Sequence, residues 1–318
     1  MIYDSILAAI GKTPVIKLSR LTHALKLGCN IFIKLESLNP GGSHKARIAL
    51  NMVHEAENKG VLKRGSGQTI IEPSGGNTGI GLAMAAAIYG YKLVLVIPDN
   101  YSKEKQRLLK MYGAEIVLSD SRLGNNSHGE KAMELVLENP EWVMLNQQRN
   151  PANPDMHRKT TVREILSDFS EQELACFIAG IGTGGHITGI GEILRESYPN
   201  IKIIGVEPEE CSLLENKFNA HDIQGLSVGV IPDVLNTCII DQMYPVAKSQ
   251  AVDMVQKILK YEGISVGIST GANLVATVGM AKELVSGSNL LTIAYDSIES
   301  YLSYFDDSAV RENEFALQ

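Results

Sequence analysis

The chain has 318 residues, 44% of them hydrophobic and 20% charged, with a net charge of -7 at pH 7. That composition suits one large or two smaller globular α/β domains, and it lacks the basic balance that nucleic acid or an anionic membrane selects. The four cysteines, Cys29, Cys176, Cys211 and Cys238, lie far apart with no histidine at metal-ligand spacing, so no metal is expected and no chemistry is assigned to them.

At the start, Met1–Leu7 carries an acid and lacks a basic segment followed by an apolar one, so no signal peptide is expected. Strand and helix patterns then alternate. A strand over Ile31–Leu35 leads to a helix over Lys45–Lys59, and a strand over Thr69–Glu72 to a helix over Asn77–Tyr89. The apolar stretch Gly79–Tyr91 falls short of the about 20 residues that span a bilayer, and the expectation is a cytoplasmic protein. A strand over Lys92–Ile97 precedes a helix over Ser102–Tyr112, capped by Ser102 and stopped at Gly113, and Glu115–Leu118 forms the next strand. The Pro-rich Asn150–Pro154 reads as turns at a domain crossing. Strands follow at Cys176–Ala179, Ile203–Val206 and Leu290–Ala294, with a helix over Ile187–Glu196. Continuous apolar strands alternating with helices predict α/β architecture with largely parallel sheets covered on both faces.

Three glycine-rich segments carry the chemistry. Gly180-Ile-Gly-Thr-Gly-Gly185 joins a strand to a helix, so several backbone N–H groups and the positive end of the helix dipole meet in one small volume. A single phosphate suits it. The loop also satisfies GxGxxG with Glu207 about 20 residues on, as a dinucleotide site would, so nucleotide, phosphate and a plain turn remain open on this loop alone. In Glu72-Pro-Ser-Gly-Gly-Asn-Thr-Gly79, Ser74, Asn77 and Thr78 add side-chain donors around uncrowded backbone, which suits a carboxylate or simply caps a helix. The third segment, Leu38-Asn-Pro-Gly-Gly-Ser-His-Lys-Ala-Arg47, sets Lys45 at a turn-to-helix junction.

Together these segments resemble the cysteine synthase (O-acetylserine sulfhydrylase) family, within the tryptophan-synthase-β-like fold of pyridoxal-phosphate enzymes. The resemblance spans nearly the whole chain, from Ile10-Gly-Lys-Thr-Pro-Val through Lys34-Leu-Glu-Ser-Leu-Asn-Pro40, Ser43-x-Lys-x-Arg47, the Glu72 and Gly182 loops and Asn150–Pro154 to Gly267-Ile-Ser-Thr-Gly-Ala272. It implies two three-layer α/β domains: a smaller mobile one at 41–148 that binds the substrate carboxylate, and a larger one, 1–40 plus 149–318, that holds the cofactor phosphate. It implies pyridoxal 5'-phosphate as cofactor and Lys45 as the catalytic Schiff-base lysine. Asn77 would meet the cofactor's phenolic oxygen, Gly182, Thr183, Gly184, Gly185 and His186 its phosphate, and Ser269 its pyridine nitrogen. Ser74, Gly75, Thr78 and Gln148 would hold the substrate carboxylate.

The implied reaction is β-replacement on an O-activated serine or cysteine through an aminoacrylate, with sulfide as nucleophile. The implied partners are small amino acids and a second copy of the chain.

Departures from the family pattern cluster around the substrate. Ser74-Gly75-Gly76-Asn77-Thr78 lacks one hydroxyl donor, His186 stands where threonine is usual, and His44 replaces a small apolar residue. Gln147-Gln148-Arg149 replaces Gln-Gln-Phe-Ser, Gly225-Leu-Ser-Val-Gly229 replaces Gly-Ile-Gly-Ala-Gly, and Ser297-Ile-Glu-Ser-Tyr301 replaces Ser-Gly-Glu-Arg-Tyr. Arg149 reads either as a second anion site in the substrate pocket or as a solvent-facing residue of a shortened loop. His44 reads as a packed neighbour of the lysine or a proton shuttle. These changes argue against docking of a serine acetyltransferase tail in the cleft. They favour as alternatives a sulfide-releasing cysteine lyase, a lanthionine-type synthase, or coupling of an acidic amino acid to O-phosphoserine or O-acetylserine. A non-catalytic or nucleotide-binding Rossmann-like protein is the reading from another class.

Overall fold

The structure, a computed structural model, describes residues 2–101, 103–123 and 126–305. Its strands are β1 (Val15–Lys17), β2 (Asn30–Leu35), β3 (Thr69–Glu72), β4 (Lys92–Pro98), β5 (Glu115–Ser119), β6 (Val143–Met144), β7 (Cys176–Gly180), β8 (Lys202–Pro208), β9 (Gln242–Val246) and β10 (Asn289–Ala294). The helices are α1 (Ser19–Ala24), α2 (Lys45–Asn58), α3 (Asn77–Tyr89), α4 (Lys103–Met111), α5 (Ser127–Glu138), α6 (Ala152–Met156), α7 (Val162–Asp168), α8 (Gly185–Ser197), α9 (Lys248–Glu262) and α10 (Ile268–Glu283). Ser102, expected to cap α4, lies outside the described residues.

Two sheets organise the chain. One has six strands in the order β1-β2-β10-β7-β8-β9, parallel except for the antiparallel β1–β2 pair; the other has four parallel strands in the order β5-β4-β3-β6. Side chains alternate across each strand, so each sheet feeds two cores. Cys176 and Ile178 of β7 join Ala251, Val255 and Leu274 from α9 and α10, whereas Phe177 and Ala179 join Ile187, Ile190 and Val162 from α8 and α7. In the smaller sheet Leu93, Leu95 and Ile97 face α3 and α4, and Val94 and Val96 face Ala132 of α5. Helices therefore cover both faces, which is why these strands are apolar without interruption. Among the described residues no helix is long and apolar enough to cross a membrane.

One expectation fails locally. Asn150–Pro154 does not form a run of turns: Pro151 precedes α6 and Pro154 sits in its first turn, where a missing N–H costs no helical hydrogen bond.

A buried ion network anchors α2. Arg47 and Lys34 have no solvent exposure. The Arg47 guanidinium donates to both Glu36 oxygens at 2.7 and 2.8 Å and to both Glu164 oxygens at 2.7 Å. Lys34 Nζ lies 2.9 Å from Glu164 Oε2 and donates to Thr13 O at 2.8 Å. Segment 11–13, the turn after β2, α2 and α7 are thereby tied together.

Candidate active site

Parallel sheets leave their functional loops at the carboxyl ends of the strands. Here the loops after β3, β7 and β10 meet the amino end of α2 around one cavity of about 420 Å³. Lys45, Ser74, Gly75, Asn77, Thr78 and Gln148 line it, as do Gly182, Thr183, His186 and Ser269 across from them. Gly184 and Gly185 complete the turn just behind.

Lys45 opens α2 and is half-buried in the wall of this cavity; its Nζ donates to Thr183 Oγ1 at 3.2 Å. Burial lowers its pKa to about 8, against a smaller opposing pull from Glu72. Glu72 is fully buried at the end of β3, and its carboxylate accepts from the N–H groups of Asn146 at 2.8 Å and Gln147 at 2.9 Å. Burial pushes its pKa up to about 7. Gln147 Oε1 accepts from Thr78 Oγ1 at 2.6 Å, so Glu72 fixes the turn that brings Gln147 and Gln148 to the Ser74–Thr78 loop. That loop presents hydroxyls, amides and backbone N–H groups, the donors a carboxylate takes.

The Gly182–Gly185 turn fits a phosphate. Gly184 has φ +75°, a left-handed backbone that favours glycine, and α8 starts immediately after with first-turn N–H groups that have no intrahelical acceptor. A Cβ on Gly185 would lie 2.0 Å from Asn153 Oδ1, and Asn153 itself donates to Gln147 O at 2.8 Å and Thr183 Oγ1 at 3.2 Å. Gly185→Ala will therefore force the turn off Asn153. The expected cost is about 1–3 kcal/mol of stability together with loss of most cofactor from the purified protein, read by thermal melts and by absorbance. Glu207, the acid a dinucleotide site would set on a ribose, is buried and accepts from Leu213 N–H at 2.7 Å.

Asp296, His157 and Tyr295 escaped the sequence reading. Asp296, just after β10, accepts from Asn77 Nδ2 at 2.7 Å and from the Tyr301 hydroxyl at 2.6 Å, while its Oδ1 is buried without a partner. His44, His157 and His186 cluster with Tyr295: the His44 ring centre lies 5.6 Å from that of His186 and 4.8 Å from that of Tyr295. Burial holds all three imidazoles below their ordinary pKa, His186 at about 3, with Lys45 adding to the effect. Strand-end position was the available signal for Tyr295 and Asp296, since both directly follow β10.

Arg149 is absent from the cavity wall. It sits in a turn with its N–H on Asn146 O, and its side chain, 67% exposed, pairs with Asp233 at 3.2 Å. An exposed pair of this kind is worth about 0–1 kcal/mol. The cations on the wall are instead Lys45 and Lys105, accompanied by His44, His128, His186 and His221; Asp296 is the one carboxylate among the described lining residues.

Known proteins resemble this chain over nearly its whole length. The family described as pyridoxal-phosphate dependent enzyme matches residues 6–296. A cysteine synthase of Staphylococcus aureus (strain N315) is 42% identical over 309 residues, covering 96% of this chain and 98% of that protein. An O-ureido-L-serine synthase of Streptomyces lavendulae is 40% identical, covering 96% and 92%. Among solved structures, an O-ureido-L-serine synthase superposes with a TM-score of 0.91 at 38% identity, covering 98% of this chain and 99% of that one. A hydrogen sulfide-producing enzyme from Fusobacterium nucleatum gives 0.89 at 38%, covering 95% and 99%.

Proposed function

Because the chain belongs to the pyridoxal-phosphate dependent enzymes, in the cysteine synthase family, we propose that it replaces the β-substituent of an O-activated serine or of cysteine, with sulfide as nucleophile. The observation that carries this reading is Lys45 Nζ, lowered to a pKa of about 8, standing 3.2 Å from Thr183 in the anion-binding turn. Bound there, pyridoxal 5'-phosphate supplies the electron sink that makes the α-proton acidic and the β-substituent a leaving group.

The protein's part is binding, orientation and proton handling. Lys45 Nζ would hold the cofactor and carry the proton at the α-carbon. Gly182, Thr183, Gly184, Gly185 and His186 would hold the phosphate, and Ser269 would offer a neutral hydroxyl to the ring nitrogen. Ser74, Gly75, Thr78 and Gln148 would receive the substrate carboxylate. Asn77, tethered by Asp296, would meet the phenolic oxygen. We assign residues 41–148 as the smaller mobile domain, because they hold the whole four-stranded sheet and the carboxylate loop. The Asn77–Asp296 hydrogen bond would then be a contact that closure makes. A homodimer is assigned on family resemblance alone.

A nucleophile larger than sulfide is the second reading, favoured by the extension of the cavity along Asn100, Tyr101, Ser121 and His128. The test is turnover of O-acetyl-L-serine and O-phospho-L-serine with sulfide or an acidic amino acid, and of cysteine alone, with products weighed by mass spectrometry. A protein that binds no pyridoxal 5'-phosphate, or turns over none of these, overturns the proposal.

The lysine also sets a pH dependence. Capture of the cofactor's aldehyde needs a neutral amine, and with a pKa of about 8 roughly one Lys45 in ten is neutral at pH 7. The capture rate should rise about tenfold from pH 6 to pH 7 and level off above 8, as followed by absorbance after mixing.

A further inference from the structure

The Tyr295 hydroxyl meets the Gly180 carbonyl at 3.2 Å and His186 Nε2 at 2.7 Å, with the Asn273 side chain as a third neighbour. It has one proton to give. The carbonyl can only accept, whereas the imidazole nitrogen accepts or donates according to its tautomer. His186 is buried and held neutral by desolvation and by Lys45, so it carries a single N–H. Two arrangements follow. If Tyr295 donates to Gly180 or to Asn273, His186 must carry its proton on Nε2, and Nδ1 becomes a bare acceptor. If Tyr295 donates to Nε2, the His186 proton moves to Nδ1, which is the nitrogen left for the cavity that His186 lines.

A phosphate in the Gly182–His186 turn only accepts hydrogen bonds, so it is compatible with the second arrangement and repelled by the first. Tyr295 is well placed to enforce the choice. Its N–H donates to Thr270 Oγ1 at 3.0 Å and its carbonyl accepts from His44 N–H at 3.1 Å, so the residue is clamped at the end of β10. The 2.7 Å contact to His186 is shorter than the 3.2 Å contact to Gly180.

We propose that Tyr295 is a positioning residue that fixes His186 as the Nδ1–H tautomer, making it a donor to the phosphate of the cofactor. This rests on the reading of the Gly182–His186 turn as the phosphate site. It also gives a reason for a histidine at position 186: with its hydroxyl partner the ring serves as a donor of fixed polarity. Tyr295→Phe keeps the ring that packs on His44 and removes only the proton that sets the tautomer.

The test compares pyridoxal 5'-phosphate with pyridoxal, which lacks the phosphate, by titration of the cofactor-free full-length chain. Tyr295→Phe should weaken pyridoxal 5'-phosphate about tenfold and leave pyridoxal unchanged, the scale of one hydrogen bond to a charged group. His186→Asn places an amide N–H near the Nδ1 position without needing a partner, so in that background Tyr295→Phe should change affinity less than about twofold. In 15N-histidine spectra of the cofactor-bound protein, His186 should carry its proton on Nδ1 and shift toward Nε2–H in Tyr295→Phe. Equal weakening of both ligands by Tyr295→Phe, a full effect persisting in His186→Asn, or an Nε2–H tautomer in the bound wild type overturns the proposal. If instead His186→Ala leaves the ratio of the two affinities unchanged, the phosphate-site reading of His186 itself fails, and the proposal falls with it for that separate reason.

Discussion

Lys45→Ala is expected to lower β-replacement turnover by at least about 10³-fold, with the melting temperature nearly unchanged. General acid–base catalysis alone is worth about 10²–10⁴-fold, and Lys45 is in addition the group assigned to hold the cofactor. The fold should survive because, among the described residues, the side chain makes one hydrogen bond, to Thr183, and its removal relieves a partly desolvated charge. Lys45→Arg sharpens the test. A guanidinium keeps the charge but stays protonated at any working pH, so it should fail as completely as alanine. Loss of the visible band together with retained binding of pyridoxal 5'-phosphate, by equilibrium dialysis, would assign the defect to chemistry. Wild-type turnover in either variant would sink the assignment.

The largest stability loss is expected from Arg47→Ala, at about 3–5 kcal/mol. Removing one partner of a buried ion pair leaves the others charged and unpaired, and that desolvation cost exceeds the worth of the bond itself. Here Glu36 would lose both donors from Arg47 while keeping Thr13 Oγ1 at 2.6 Å and Asn39 Nδ2 at 2.8 Å, and Glu164 would keep Lys34. Because Arg47 stands one residue beyond Ala46 from Lys45, the loss should also loosen the lysine. Denaturant unfolding gives the first effect and cofactor retention on dialysis the second. A change under about 1 kcal/mol would show that water reaches the network and screens it.

Much of this site was legible because local chemistry and chain order agree there. The strands from Thr69, Lys92 and Cys176 and the helix Asn77–Tyr89 stand where apolar runs and glycine stops put them. The loops bearing Lys45, Ser74 and Gly182 could be read because small residues at a strand-to-helix junction leave backbone donors exposed. Short strands such as β1 and β6 carry too few residues to show a period. Asn150–Pro154 misled because proline marks a helix start as readily as a turn. Arg149 sits beside Gln148, yet its direction depends on Asp233, which no local pattern announces. The histidine–tyrosine cluster was hidden for the same reason: its members come from 44, 157, 186 and 295, and only the packing of α8 and of the ends of α2, α6 and β10 brings them together.

The distribution of charge along the cavity wall has a bearing on selectivity in a crowded mixture. The chain as a whole is acidic, with a net charge of -7, while among the described residues its cleft is lined by Lys45 and Lys105, by imidazoles that offer hydrogen bonds more than charge, and by one carboxylate, Asp296, that is already bonded. A net negative chain disfavours the approach of an anion, and the two lysines of the cleft oppose that effect locally. The protein thus sorts its small-molecule visitors twice, first by where they can approach and only afterwards by shape. An inorganic phosphate ion offers the same charge and acceptors as the cofactor's phosphate, so it is expected to compete for the Gly182–Gly185 turn.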